Sequence, residues 1–361
     1  MGRQVTLDDF LLFDEGAKKT ENIKDPRVFD VNFVPDEIYK RKEYATIARE
    51  VGAYLNRGLI SHILIFGGRG TGKTATVKYL LRRAREYSHE RNINANFFYA
   101  SAKENQTTYN ILRFILNLKT GVTIKDLFDK AREALSGRCI IAIDEVDFLK
   151  DDDVLYFLSR ETEAMVIAVA TSPFWIKTLD QSVQSSFQPD IIPFPEYTAE
   201  ELLQIFRQRA EMGLYRWDEA GLNLLAAIIR REYHGDTRYG IMALKHLAPL
   251  DRWDEASVRE AIMKGIRELE LTAVGSLSSD SLILLSKIIS FSDGVSSSLL
   301  YKKVREELSM AKATFFSMLE DLEKKGLIAA LGGKKGKPYI VTPLLHYPEI
   351  VKEELRRRDY E

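Results

Sequence analysis

The chain has 361 residues, 45% of them hydrophobic and 29% charged, and 52 lysines and arginines almost balance 53 aspartates and glutamates to leave a formal charge of −1. That length predicts two or three compact units, and the charge balance excludes a global electrostatic pull toward nucleic acid, so any such binding must come from local patches. No apolar run approaches the roughly 18 residues of a membrane span, which excludes a membrane partner and predicts a soluble, cytoplasmic chain.

In chain order, residues 1–33 are polar and irregular and read as an arm lying on the body or partly disordered. Its opening "MGRQVTLDDF" has acids where an export signal has its apolar segment. From 34 to 196, short β-branched runs alternate with helical patterns: "HILIF" (62–66), "NANFFYA" (94–100), "RCIIAI" (138–143), "MVIAVAT" (165–171) and "DIIPF" (190–194). Strands apolar on both faces and separated by helices predict a parallel five-stranded sheet covered on both sides. The single cysteine, Cys139, reads as a small buried hydrophobe.

Residues 197–272 carry consecutive amphipathic helices, opened by Thr198 with Glu201 as a capping box, and read as a helical lid. The small, polar stretch 273–281 reads as a linker. Residues 273–361 then give helical patterns at 279–291, 297–307 and 310–325, followed by two short apolar runs around a Gly-Lys tip. Three helices and a hairpin describe a winged helix.

The segment Gly67-Gly68-Arg69-Gly70-Thr71-Gly72-Lys73-Thr74, followed by Ala75, fits the phosphate-loop pattern, with a strand before it and a helix after it. Its glycines let successive backbone N–H groups face a β-phosphate, Lys73 adds charge between the β- and γ-phosphates, and the Thr74 hydroxyl suits Mg²⁺. "IIAIDEVDFL" (140–149) supplies the partner acids: Asp144 for the Mg²⁺ shell and Glu145 to polarise an attacking water. Asp147 and Asp151 to Asp153 read as solvated surface. ATP or ADP with Mg²⁺ is therefore the expected cofactor. The adjacent acids and the lid place the chain in the AAA+ class, in which Arg238, in a Gly-Asp-x-Arg turn, can reach the γ-phosphate from the lid.

The motifs "FVPDEIYKRKEY", "GGRGTGKTATV", "IIAIDEVDFL", "PFPEYTAEEL" and "HGDTRYGIMAL", in this order and ahead of a winged helix, resemble the archaeal origin-recognition initiators. Those are relatives of the eukaryotic origin recognition complex and of the cell-division-control loader of the replicative helicase. The resemblance covers residue 30 to the C-terminus. It implies that Val34, Pro35 and Arg41 contact the adenine, that Tyr197 lies beside it, and that "GVTIKDLF" (121–128) is either a DNA-touching inserted helix or an ordinary amphipathic one. Two departures stand out. Thr171 and Ser172 in "AVATSPFW" occupy the place of an asparagine that orients the attacking water. "TLDQSVQSSF" (178–187) has Ser182 and Gln184 where the family carries arginines, one of them donated to a neighbouring subunit; Arg160 is the alternative donor.

Slow ATP turnover acting as a switch follows from those departures, because an arginine finger contributes about 10³ to 10⁵ in rate. In the winged helix, Lys312, Thr314 and Ser317 fall on the polar side of the recognition helix behind an N-cap at Ser309. Phe315, Leu319 and Leu322 fall in its core, and Lys334, Lys335 and Lys337 lie at the wing tip, suited to phosphate. The "QVTLDDFL" segment (4–11), with Gln4, Leu7 and Phe10, reads either as a sliding-clamp docking peptide or as a capped helical turn from Thr6. The resemblance implies an origin-binding initiator, nucleoid-associated, whose partners are double-stranded origin DNA, the replicative helicase and a paralogous initiator. The alternatives are an AAA+ regulatory switch whose winged helix contacts protein, and a clamp-loader-like motor.

Overall fold

The structure, a computed structural model, describes residues 22–119, 121–291, 294–308, 310–331 and 340–359. The clamp-peptide segment 4–11, the expected cap Ser309 and the wing-tip Lys334, Lys335 and Lys337 lie outside the described residues. The chain forms two compact units that divide after Arg259, inside a helix, rather than at 272/273.

The first unit is built on the strands β1 (Ile63–Phe66), β2 (Ala95–Ser101), β3 (Arg138–Asp144), β4 (Met165–Ala170) and β5 (Asp190–Pro193). They make one sheet in the order β2-β3-β4-β1-β5, every pair parallel. β4 is buried along its whole length, and β3 everywhere but Arg138, as the unbroken apolar runs require. Cys139 is wholly buried, and burial pushes its thiol up to about 12, so it packs as a hydrophobe. Helices α1 (Lys42–Arg57) and α2 (Lys73–Glu90) share one core with one face of the sheet. Helices α3 (Thr108–Ile115), α4 (Ile124–Ala134), α5 (Asp153–Glu161) and α6 (Gln181–Phe187) share the core of the other face. Within "GVTIKDLF", Thr123 caps α4 and Leu127 packs in that core, while Ile124 is 49% exposed.

The lid comprises α7 (Ala199–Gly213), α8 (Glu219–Glu232), α9 (Thr237–Leu247) and the start of α10 (Glu255–Gly275). Its capping box is complete: Glu201 N–H donates to the Thr198 hydroxyl at 3.2 Å, and Thr198 N–H donates to the Glu201 carboxylate at 2.8 Å. Residues 22–33, read as part of an arm lying on the body or partly disordered, lie on the body, sewn to this lid. The Asn22 amide donates to the carbonyls of Arg216 and Ala248, both at 2.8 Å. The buried Arg209 donates to the carbonyls of Val28 and Phe33 at 2.7 and 2.8 Å. Val28 and Phe29 press on Gly213 so closely that a Cβ there would stand 2.2 Å from Val28. The arm is polar by composition, yet two buried apolar residues, Val28 and Phe29, help to anchor it.

In the second unit, α11 (Ser279–Ile289), β6 (Val295–Ser296), α12 (Ser297–Leu308), α13 (Lys312–Lys324), β7 (Ile328–Leu331), β8 (Ile340–Pro343) and α14 (Glu349–Asp359) follow one another. The strands form an antiparallel sheet in the order β6-β8-β7, which with the three preceding helices is the arrangement of a winged helix. Stretch 273–281 is no slack linker. Val274 and Leu277 are buried in this unit's core, and Ser278 caps α11 by accepting from Ser281 N–H at 3.2 Å. Phe315, Leu319 and Leu322 are buried as their spacing requires, with Ala311 at the N-cap of α13. β6 and α14 have no counterpart in the sequence reading.

One half-buried titratable group makes the first unit sensitive to acid. His62, leading into β1, accepts a hydrogen bond through Nδ1 from Val166 N–H at 3.2 Å and stacks near Phe187; burial lowers its pKa to about 4. The unfolded chain takes up a proton below about pH 6.5 that the folded chain refuses until about 4. Stability is therefore lost as pH falls through that window, by about 2–3 kcal/mol. Urea unfolding at pH 7, 5.5 and 4.5 should show this loss, and His62→Gln should remove most of it.

Candidate nucleotide site

Three strands that adjoin in the sheet, β1, β4 and β3, end at one rim, and everything with nucleotide chemistry gathers there, at the carboxyl ends of parallel strands. The loop after β1 turns through positive φ at Gly70 and Gly72, +68° and +81°. Both lack the room for a side chain as well: a Cβ on Gly70 would lie 1.9 Å from Asp236 Oδ1, and one on Gly72 would lie 2.1 Å from the Tyr197 hydroxyl. α2 begins at Lys73, and its first helical bond runs from Thr76 N–H to Gly72 at 2.9 Å. The N–H groups of Lys73, Thr74 and Ala75 are thus the orphan donors of a helix N-terminus, an anion-binding arrangement. Lys73 Nζ lies over the loop and donates to the carbonyls of Gly67 and Gly68 at 2.7 and 2.6 Å. Burial lowers its pKa to about 8. Arg69 sits on the shoulder of the loop, its pKa lowered by burial and then by the charge of Arg238.

The acids stand opposite. Asp144, 2% exposed, accepts from the Thr74 hydroxyl at 2.7 Å and from the Tyr99 hydroxyl at 2.8 Å on the same oxygen, Oδ2, while Oδ1 accepts from Glu145 N–H at 2.8 Å. Glu145 is held in the left-handed region, φ 55°, and accepts from the Ser101 hydroxyl at 3.0 Å. That conformation costs a non-glycine residue about 1 kcal/mol and is characteristic of functional positions. Tyr99 and Ser101 alternate on β2 and went unnoticed in the sequence. Their only signal is a period of two on the strand that pairs with β3.

Several expectations are corrected here. Asp147 is not solvated surface: it accepts from Thr171 N–H at 2.7 Å and from the Thr171 hydroxyl at 3.1 Å, fixing the end of β4. Asp151 accepts from Thr108 N–H at 3.0 Å and from its hydroxyl, and Asp152 accepts from Asp180 N–H at 2.7 Å, so two of the three consecutive acids brace loops. Ser172 also caps a short 3₁₀ turn, its hydroxyl oxygen accepting from Phe174 N–H at 3.2 Å.

Arg41 is 4% exposed and its guanidinium is engaged by protein on every nitrogen. Nε donates to Glu43 at 2.8 Å, Nη1 to the Thr71 carbonyl at 2.8 Å and Nη2 to the Pro195 carbonyl at 2.9 Å. It also lies 4.5 Å from the Tyr197 ring centre. Its place is that of a brace between the phosphate loop, the β5-to-lid turn and the start of α1. Nearby, Val34 is half-buried and Pro35 buried, the latter accepting from Arg82 at 2.7 Å. The lid meets the loop through α9: the Thr237 hydroxyl donates to the Gly70 carbonyl at 2.8 Å, and Asp236 caps Arg238 N–H at 3.0 Å while pairing with its guanidinium through Nε at 2.9 Å. Arg160 is exposed at the end of α5, next to Ser159, whose hydroxyl reaches Ser186 of α6 at 3.2 Å. In the second unit, Lys312, Thr314 and Ser317 are all exposed along α13.

Two outcomes follow. Removing Arg41 leaves Glu43 buried without its cation and two carbonyls without a donor, so Arg41→Ala should lower unfolding stability in urea by about 3–5 kcal/mol. Arg41→Lys should recover only part, since one ammonium cannot reach three acceptors. If Lys73 holds phosphate, it does so as the protonated amine, whose pKa burial lowers to about 8 in the free protein. Nucleotide affinity measured by calorimetry should be level below pH 8 and fall up to about tenfold per unit above it.

An AAA domain family matches residues 60–175. The chain is 29% identical to an ORC1-type DNA replication protein of Pyrococcus horikoshii, over 68% of this chain and 64% of that protein, so it spans less than two thirds of that relative's length. It is 28% identical to an ORC1-type DNA replication protein of Methanothermobacter thermautotrophicus over 94% of this chain and 99% of that one. Among solved structures, the Aeropyrum pernix ORC1 protein in complex with DNA has the same fold, with a TM-score of 0.74 and 24% identity over 93% of this chain and 97% of that one. The ADP form of the Aeropyrum pernix ORC2 protein gives 0.59 at 22% identity, over 94% and 100%. With the phosphate loop, the acids of β3 and the lid turn in their places, the chain carries an AAA domain and is similar over most of its length to archaeal ORC1-type DNA replication proteins.

Proposed function

We propose that this chain is a DNA replication initiator that binds ATP or ADP with Mg²⁺, uses nucleotide state to set its lid, binds duplex origin DNA and helps recruit or load the replicative helicase. The observation that carries this reading is the Thr237 bond to Gly70: the lid is fastened to the same loop that would hold the phosphates, so occupancy and lid position are coupled. Support for DNA comes from relatives that bear the name of replication proteins and from a structural neighbour solved with DNA. The exposed Lys312, Thr314 and Ser317 and the wing-tip Lys334, Lys335 and Lys337 are the residues assigned to the duplex. A paralogous initiator and a sliding clamp at residues 4–11 are further partners of this reading.

Magnesium suits the donor set. Thr74 and Asp144 offer hydroxyl and carboxylate oxygens, and among the described residues no cluster of three or more His, Cys, Asp or Glu side chains could hold a metal alone. Such a pair matches a hard cation completed by phosphate and water, and the ion when bound would neutralise phosphate charge. Val34, Pro35 and Tyr197 are assigned to the base, with Arg41 holding that wall in place. Arg238 is assigned to the γ-phosphate, Glu145 to the attacking water, and Thr171 or Ser172 to its orientation.

Slow turnover follows from α6, where Ser182 is exposed and Gln184 donates to the Leu179 carbonyl at 2.7 Å. Neither side chain can stabilise a neighbour's transition state as a guanidinium does. The purified protein should hydrolyse ATP slowly, Glu145→Gln should slow it further without abolishing nucleotide binding, and Lys73→Ala should abolish binding. Fast, concentration-dependent hydrolysis would refute the switch.

Footprinting on genomic DNA of the host, with ATP and with ADP, tests the initiator reading. Discrete protected duplex sites are expected, weakened by Lys312→Ala. With about six phosphate contacts the logarithm of affinity should fall against log salt with a slope near −5. Absence of duplex binding at every salt concentration would remove the reading.

A further inference from the structure

Among the described residues, the phenol of Tyr99 is the one hydroxyl from outside the phosphate loop and its helix that bonds Asp144, the acid assigned to the ion. It stands on β2, one strand beyond β3, and reaches Asp144 Oδ2 at 2.8 Å. Thr74 bonds that same oxygen at 2.7 Å from the opposite side, on α2. Asp144 Oδ1 is fixed separately by Glu145 N–H at 2.8 Å. With three donors on two oxygens the carboxylate has no rotational freedom left, and each donor comes from a different segment of the fold.

The ring of Tyr99 is fixed in turn. Lys78, one turn along α2 from Thr74, places its ammonium 4.7 Å from the ring centre. Burial, and after it the charge of Asp144, raises the phenol's pKa well above its ordinary range, so the group remains a donor at any working pH. None of this is needed to hold β2, which already pairs with β3 from Ala95↔Arg138 to Ser101↔Asp144.

We propose that Tyr99 is a positioning residue of the magnesium site: by sharing one Asp144 oxygen with Thr74, it fixes the carboxylate and thereby the direction in which the Thr74 hydroxyl oxygen presents its lone pairs to the ion. The proposal rests on the reading that Thr74 and Asp144 serve Mg²⁺. Partners that orient a metal's ligands typically contribute about 10- to 100-fold in metal affinity, and Tyr99 is one of three donors on this acid.

The experiment is titration calorimetry of ATP into the full chain, with Mg²⁺ and with a chelator, for the native protein, Tyr99→Phe and Asp144→Asn. Tyr99→Phe keeps the ring and its cation contact and loses only the hydroxyl. Its ATP affinity in chelator should match the native value within about twofold, while the gain on adding Mg²⁺ should shrink by about tenfold and the half-saturating Mg²⁺ concentration should rise correspondingly. An undiminished gain overturns the proposal. Equal losses with and without Mg²⁺ overturn it too, since they mark a merely structural role. A native protein that gains nothing from Mg²⁺, or an Asp144→Asn variant that gains as much as native, removes the magnesium reading itself and the proposal with it.

Discussion

A single buried cation, the guanidinium of Arg41, holds the nucleotide rim together. It joins residues 30 and 154 positions away from it, the Thr71 and Pro195 carbonyls, and it does so with its charge offset by Glu43 in a nearly water-free setting. In that low dielectric each bond is stronger than at a surface, and each unmade bond is more damaging. The phosphate loop turns through conformations that suit glycine, and glycine gives no side chain with which to brace itself. Arg41 supplies that brace from the strand-free segment ahead of α1, and the Tyr197 ring covers it. The tyrosine hydroxyl against Gly72 then closes the loop from the lid side.

The lid inherits its position from the same rim. Thr237 donates to Gly70, Asp236 lies over that glycine, and the 22–33 segment is tied to α7 by Arg209 and to the end of α9 by Asn22. Lid, arm and loop therefore form one hydrogen-bonded circuit. A change at one point has few soft places in which to dissipate, since the segments between are helices and a buried turn. If nucleotide state sets the lid, as proposed, its alternative positions must be discrete, because such contacts are either made or lost.

What could be read from the residues alone divides along the distance of the interactions. Parallel strands were legible because β3 and β4 are buried on both faces and leave unbroken apolar runs. The phosphate loop was legible because its glycines are required by backbone geometry within eight residues, and the lid start because a capping box spans four. Tyr99, Ser101 and Asp147 were not, since their meaning depends on which strand lies beside which: Tyr99 and Asp144 are 45 positions apart. Arg41 reads as a ligand-facing charge until burial shows that protein has taken its donors. Acid runs such as 151–153 look solvated because local composition cannot reveal a distant N–H that needs an acceptor. β6 is only two residues long and leaves no periodicity to detect.

Glu145 sets a different kind of limit. Its left-handed backbone is a conformation that glycine or asparagine adopts with less strain, and the turn it makes would be more comfortable with either. A lineage under selection for stability alone would drift away from glutamate at this position. An acid held in a conformation it does not favour is what a position would show where folding and chemistry pull in opposite directions. In a collection of related chains, the residue found there would sort those still selected for handling nucleotide from those kept only as scaffolds.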